Sequence, residues 1–182
     1  MIIIMPSKFV EYFITKANKR RTLAQDTYLF HQGDPVRSVF IVEEGLVELT
    51  RHQLNGSSIV LQRASTHMVL AEASLYSAQY HCDGIVTLPS TVFEWTKAAF
   101  LERIQEDKGF SNLWVKHLAQ EIQSARYRSE ILSLKTVSER LDGWLVWQGS
   151  PVPPKGQWKN IAAQIGVSPE ALYREMAKRR SK

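Results

Sequence analysis

The chain has 182 residues, 44% of them hydrophobic and 23% charged, and a formal net charge of +5. This is globular composition; no run approaches the roughly 18 apolar residues of a membrane span, and the apolar start before Pro6 is too short for a signal peptide. The single Cys82 excludes a disulfide or a Cys-ligated iron–sulfur cluster within one chain and fits a reducing, cytoplasmic setting.

In chain order, Lys8 to Ala17 predicts a short helix. From Thr27 to Trp95 the chain reads as short strands punctuated by Gly, Asp, Asn and Pro. "VFIVEEGLVELT" predicts two extended runs separated at Glu44-Gly45, and Asn55-Gly56 is a strong hairpin dipeptide before "SSIVLQ". "GIVTLPSTVFEW" predicts two more strands, broken at Pro89-Ser90. Many short strands at this spacing indicate a sandwich or barrel-like roll. The pattern turns helical at Thr96, with a stop expected at Lys108-Gly109. A longer helix follows from about Phe110 to Leu134. Along it Ser111, Leu118, Ala125 and Leu132 recur every seven residues, and Val115, Ile122 and Ser129 fall four residues after the first three. That is the a/d seam of a short coiled coil, with residues small enough for two backbones to approach closely. The plainer alternative is a stripe that packs on the roll. Thr136 to Trp147 predicts a further helix, with Val137, Leu141, Trp144 and Leu145 on one face, and "QGSPVPPKGQ" a loop.

Residues 158–182 hold two helices and a tight turn. Trp158, Ile161, Ala162 and Ile165 follow the 0, 3, 4, 7 rule for one buried face. Gly166 ends the first helix, Ser168 caps the second, and Pro169 stands at the first helical position, where its missing N–H is harmless. Leu172 and Met176 face inward, leaving Glu170, Tyr173 and Arg174 outward near the N-terminus of the second helix. A recognition helix needs that arrangement, because its first two turns reach base edges. Arg174 can fork onto guanine, Glu170 can accept from cytosine, and Ser168 with the free N–H groups can hold a phosphate. The i, i+4 spacing of Glu170 and Arg174 equally permits a surface ion pair. Charge supports the nucleic-acid reading. Residues 151–182 contain seven basic side chains, Lys159 and Lys178 among them, against Glu170 and Glu175, so the whole surplus of five sits beside the helix pair. Polyanions release counterions when basic groups neutralise them, although a solvated basic tail would look the same.

The order of these segments resembles the cAMP receptor protein / fumarate-nitrate regulator (Crp/Fnr) family of bacterial transcription factors. "FHQGDPVRSVFIVEEGLVEL" looks like the family's first roll motif, "AEASLYSAQYHCDGIV" occupies the place of its phosphate-binding cassette, and "VSPEALYREM" is similar to its recognition helix, with Glu170 and Arg174 at the operator-reading positions. The resemblance covers about residues 11 to 180. It implies an α+β chain with a cyclic-nucleotide-binding-like β-roll (1–109), a dimerisation helix (110–134) and a helix-turn-helix DNA-binding domain (135–182). The implied partners are double-stranded DNA, a second copy of the chain through Leu118, Ile122, Ala125, Ser129 and Leu132, and RNA polymerase, with no membrane and no resident cofactor. DNA contacts are expected from Lys159 and from Ser168, Glu170, Tyr173, Arg174 and Lys178 of a helix over 168–179.

Four departures qualify the likeness. Relatives usually continue into a two-stranded wing, whereas this chain stops at Lys182. Pro169 and Ala171 replace a basic and a hydroxyl residue. Glu175 stands where a buried aliphatic is common. In nucleotide-binding relatives the cassette reads Gly-Glu, then Arg-Ser about ten residues later; here the candidate pocket is Glu72, Ser74, His81, Cys82 and Asp83, with Ala71 for the glycine and Cys82-Asp83 for Arg-Ser. A thiol cannot replace a guanidinium that binds phosphate in two places, and Asp83 sets charge against like charge. The expectation is a roll that does not respond to cyclic AMP, leaving another effector, a Cys82-based redox or haem response, or none. His81, if protonated, would return some positive charge. A metalloenzyme reading finds His31, His52, His67, His81 and His117 scattered, and no phosphate loop or nucleophile motif is present. A protein-interaction or signalling module that uses the roll without DNA remains the alternative.

Overall fold

A computed structural model describes residues 8–54, 56, 58–149 and 154–180. Asn55 of the expected hairpin dipeptide, Ser57 after it, Ser150 to Pro153 of the expected loop, and the two ends of the chain lie outside the described residues. The described chain divides into two compact units between Val115 and Lys116.

The first unit opens with helix α1 (Lys8–Lys16), followed by strands β1 (Lys19–Leu23), β2 (Tyr28–Phe30), β3 (Ser38–His52), β4 (Ser58–Ala64), β5 (Val69–Leu70) and β6 (Asp83–Thr96), and then helix α2 (Lys97–Glu106). The strands form one antiparallel sheet in the order β1-β6-β3-β4, with β2 added to β6 and β5 to β3. This is the α+β roll that the resemblance implies, and one of the two forms that strand spacing allows. Its inner faces carry Phe40, Val42, Val47, Leu70 and Val92, buried at 0–3% exposure. Beside it Phe9, Phe13, Trp95, Phe100, Phe110 and Trp114 form an aromatic cluster with ring centroids 4.9–5.9 Å apart. The indole of Trp95 donates to the Phe13 carbonyl at 2.9 Å, which satisfies the one polar atom such a ring buries.

Two expected breaks are not breaks. β3 runs through Glu44-Gly45 and β6 through Pro89-Ser90, each as one long strand. The two irregular dipeptides face each other, and the β3–β6 register slips there, between Val42 and Val47. Gly45 has φ +98°, and a Cβ on it would strike Ser90 and the Pro89 carbonyl. Pro89 has no N–H to offer the ladder. The Ser90 hydroxyl fills in, accepting from the Leu46 N–H at 3.0 Å and donating to the Leu88 carbonyl at 2.6 Å. Bulges bend paired strands without ending them. The stop placed at Gly109 also moves. Asp107 ends α2 in an extended conformation, and its carboxylate accepts from the Phe110 N–H at 3.0 Å. It thereby caps the next helix, α3 (Lys108–Ser133), with Gly109 inside the first turn.

The second unit holds α4 (Val137–Gln148), α5 (Trp158–Gln164) and α6 (Pro169–Arg180). Thr136 and Glu139 form a reciprocal capping box at the start of α4. Ile131, Leu141, Trp144, Ile161, Ile165 and Leu172 share a buried core, and Val137 and Leu145 pack against it as the helical periodicity predicts. Among the described residues no helix is long and apolar enough to cross a membrane.

Candidate nucleic-acid interface and ligand cassette

Helices α5 and α6 meet as the sequence predicts. Trp158, Ile161, Ala162 and Ile165 are each at most 4% exposed. Gly166 turns the chain at φ +65°, where a Cβ would run into the side chain of Leu132. Ser168 caps α6, its hydroxyl accepting from the Ala171 N–H at 3.2 Å. Leu172 and Met176 point into the core, so Glu170, Arg174 and Lys178, at i, i+4 and i+8, line the opposite face in the open, and Lys159 is exposed on α5. Tyr173 rests against Trp158 with centroids 5.2 Å apart, and the ammonium of Lys155 lies 5.9 Å above its ring. Glu170 does not pair with Arg174. Its carboxyl is held below the usual range first by the N–H of its own residue and then by Ser168, with the Arg174 charge a smaller cause. Arg174 therefore extends from the second turn without an ion pair among the described residues.

Two arginines with no signal in the sequence build the frame. Arg179 counted among the surplus basic charge, yet its guanidinium binds Glu175 at 2.8 Å, Asp142 at 2.6 Å and the carbonyl and hydroxyl of Ser138 at 3.1 and 2.8 Å. These bonds raise the Arg179 pKa and hold Glu175 below the usual carboxylate range. Glu175 thus serves where an aliphatic was expected, because an ion network between α4 and α6 replaces apolar packing. Arg140 donates to the carbonyls of Leu134 at 2.8 Å, Ile165 at 3.1 Å and Gly166 at 3.0 Å. One fork closes the ends of α3 and α5 and the turn between α5 and α6, all points where helices leave carbonyls unpaired.

On α3 the heptad stripe is largely open. Val115, Ile122 and Leu132 are 61%, 53% and 47% exposed. Ala125 and Ser129 are also exposed, and Leu118 is half-buried. Phe110, Trp114 and Ile131 are the residues this helix commits to the cores. Val115, Ile122, Ala125 and Ser129 are therefore not spent on packing within the described chain, while Leu118 is half-buried and Leu132 lies against Gly166.

In the cassette segment Ala71 takes a left-handed conformation, with φ +70°, at the head of a single tight turn over Glu72–Ser74. Ser74 is buried and its hydroxyl meets His81 Nδ1 at 2.8 Å, so these two residues are occupied with each other. Cys82 is 1% exposed in the roll core, and burial, then the charges of Asp83 and Glu72, push its thiol up to about 11. A thiol held protonated in this way is a poor nucleophile and a poor metal ligand. The Asp83 carboxylate accepts from the Gln32 N–H at 2.8 Å and lies 3.6 Å from both His31 Nδ1 and His52 Nε2. Two of the five histidines read as scattered thus converge on one aspartate, His52 through the β3–β6 register and His31 through the β2–β6 pairing, and not by spacing. Among the described residues no group of three or more His, Cys, Asp or Glu is arranged to hold a metal ion.

Residues 20–107 match the family described as the cyclic nucleotide-binding domain. No curated protein sequence matches the chain. Among solved structures, the chain is similar to FixK2 from Bradyrhizobium japonicum at a TM-score of 0.73 and 14% identity, covering 90% of this chain and 84% of that one. It is similar to CLP, the c-di-GMP responsive global regulator of Xanthomonas campestris, at 0.67 and 16%, covering 95% and 91%. A CRP-family transcriptional regulator from Thermus thermophilus follows at 0.63 and 17%, covering 90% and 84%. At these identities the likeness establishes the fold.

Proposed function

We propose that this chain, whose residues 20–107 match the cyclic nucleotide-binding domain and whose fold is that of Crp/Fnr regulators, is a homodimeric DNA-binding transcription regulator. In this reading residues 1–109 are the sensory roll, 110–134 the dimerisation helix and 135–182 the DNA-binding domain. The observation that carries it is the outer face of α6. Glu170, Arg174 and Lys178 stand in one exposed row beginning at the helix N-terminus, while Leu172 and Met176 anchor the other face. A helix so divided presents its first turns to a major groove. The Ser168 hydroxyl can donate to a phosphate while it accepts from Ala171, whereas the N–H groups of Glu170, Ala171 and Leu172 are already engaged; Arg174 reads one base pair, and Lys159 and Lys178 supply phosphate contacts. A twofold pair of such helices reads a pseudo-palindrome with half-sites about one helical turn apart.

Selection of bound fragments from random duplex DNA tests this. The wild-type chain should enrich an inverted repeat. Arg174→Ala should lose roughly 1–3 kcal/mol on that site and relax preference at one base pair, and Lys159→Ala should weaken all sequences about equally. Equal losses on selected and random DNA for Arg174→Ala would remove its reading role. The cassette in this reading does not answer to cyclic AMP, because Asp83 and Cys82 take the places of the phosphate-gripping pair.

A further inference from the structure

The roll contains a second candidate site, away from the residues that a cyclic nucleotide would touch. A cavity of about 350 Å³ is lined by Arg21, Phe30, Arg37, Phe40, Tyr80 and Glu94, with Asp34 and Ser38 at its wall. Of the cassette segment only Tyr80 takes part. That volume lies within the range of small-molecule sites, which combine apolar walls with a few fixed polar groups. Both kinds of wall are present. Phe30 stacks on Tyr80 with centroids 4.0 Å apart and on Phe40 at 5.8 Å. Tyr80 is fixed by its hydroxyl, which donates to the Ser38 carbonyl at 2.9 Å and accepts from the Ser38 N–H at 3.1 Å.

The charges decide what can enter. Glu94 accepts from Ser38 Oγ at 2.6 Å and pairs with Arg21 at 3.3 Å, so those two charges answer each other. Asp34 accepts from the His31 N–H at 2.9 Å and keeps its negative charge at the wall, so an anion must be held by Arg37 and kept off Asp34. Arg37 is different. It is exposed at the rim, and among the described residues no ion pair or hydrogen bond engages its guanidinium. We infer that this cavity binds a small organic anion, its carboxylate or phosphate group forked by Arg37 and its apolar body set among the rings of Phe30, Phe40 and Tyr80. A guanidinium matches both anions in two-point geometry, so the head group alone does not separate them.

The position also gives occupancy a route to the cassette. Gly33 N–H donates to the Tyr80 carbonyl at 2.9 Å, Tyr80 N–H to the Asp34 carbonyl at 2.9 Å, and Val36 N–H to the Ala78 carbonyl at 3.0 Å. The segment that carries Arg37 is thereby strapped to the end of the cassette, and a ligand on Arg37 loads both. That this makes the ligand an effector rests on the reading of the chain as a regulator; the binding itself does not.

Saturation-transfer NMR on the full chain, without DNA, tests the binding. Benzoate and phenyl phosphate are the probes, with acetate and inorganic phosphate as their ring-free counterparts. At least one ringed probe should receive saturation, and its ring-free counterpart should bind more weakly. Benzoate alone would assign a carboxylate ligand, phenyl phosphate alone a phosphate monoester. Arg37→Gln, a change at an exposed side chain that leaves the sheet intact, should weaken the binding probe at least tenfold. Arg174→Ala, on α6, should leave it unchanged. Silence from both ringed probes, or equal binding by Arg37→Gln, would overturn the inference. Because no DNA is present, loss of the DNA-binding reading would leave this result standing, and the reverse.

Discussion

Arg140 and His117 illustrate how single side chains carry more than their sequence context announces. Arg140 lies between Glu139 and Asp142 on α4, outside the apolar face that the sequence marks. Its three carbonyl bonds instead hold the turn between α5 and α6 to the end of α3. Arg140→Met keeps the stem and removes the fork, leaving three carbonyls to find water. Bonds to a charged donor are worth about 1.5–3 kcal/mol each when buried, and this site is partly solvated, so a total loss of about 2 kcal/mol is expected in urea unfolding. His117 offers a pH test. Burial lowers its pKa to about 4, so the folded chain keeps the ring neutral while the unfolded chain protonates it near the ordinary value of 6.5. Between those values the unfolded state binds more protons, and stability therefore rises with pH across that window and falls on acidification through it. The shift corresponds to a loss of up to about 3 kcal/mol by pH 4. His117→Gln should flatten the pH 4–6.5 limb of the urea midpoint, and an unchanged limb would place the acid sensitivity elsewhere.

At the scale of elements, the helices were legible because their signals are local. The seven-residue spacing of α3, the Ser168-Pro169 start of α6 and the Gly166 turn each specify geometry within a few residues. Strand continuity was not. Glu44-Gly45 and Pro89-Ser90 carry turn chemistry, and only their placement opposite each other, far apart in the chain, converts two turns into one bulged pairing. The same register brings His52 to Asp83, and the β2–β6 pairing brings His31, which no spacing rule could reveal. Site residues on α6 were read from periodicity, whereas the Arg179 network needed the α4–α6 packing that periodicity does not contain. The seam on α3 yields the test at this scale. Ile122 is 53% exposed and Leu118 half-buried, both on the stripe that the described chain leaves open. Leu118→Glu with Ile122→Glu would set four like charges in a twofold seam and should give monomers in sedimentation velocity, with the helical circular dichroism of the fold retained. An intact dimer would move the interface off this stripe.

For the whole molecule, the proposed reading has α6 and the cassette presenting opposite charge to the same kind of group, a phosphate. The surplus of five positive charges lies in residues 151–182, and Arg179 is committed internally, so the groups free to meet phosphate are fewer than composition counts. Affinity for DNA should fall with salt at a slope of about −0.9 per phosphate contacted, and elution from heparin in a salt gradient measures this; a flat response would favour a protein partner for α6. The cassette presents the reverse charge. A cyclic nucleotide brings a phosphate to the place where relatives offer Arg-Ser, and this chain offers a buried protonated thiol and the Asp83 carboxylate. His31 and His52 stand 3.6 Å from that carboxylate, and Gln32 donates to it, so its oxygens have partners but its charge remains. Two like charges about 4 Å apart repel by about 4 kcal/mol at an effective dielectric near 20, which would weaken a micromolar ligand by nearly three powers of ten. Ser74 cannot compensate while bonded to His81. Titration calorimetry with cyclic AMP and cyclic GMP near pH 7 should therefore register no micromolar binding. Cys82→Arg with Asp83→Ser restores the missing pair, and recovered cyclic AMP binding by that variant would locate the whole deficit in these two side chains. Micromolar binding by the unaltered chain would mean that the nucleotide is gripped without them, and the account of the cassette would fall.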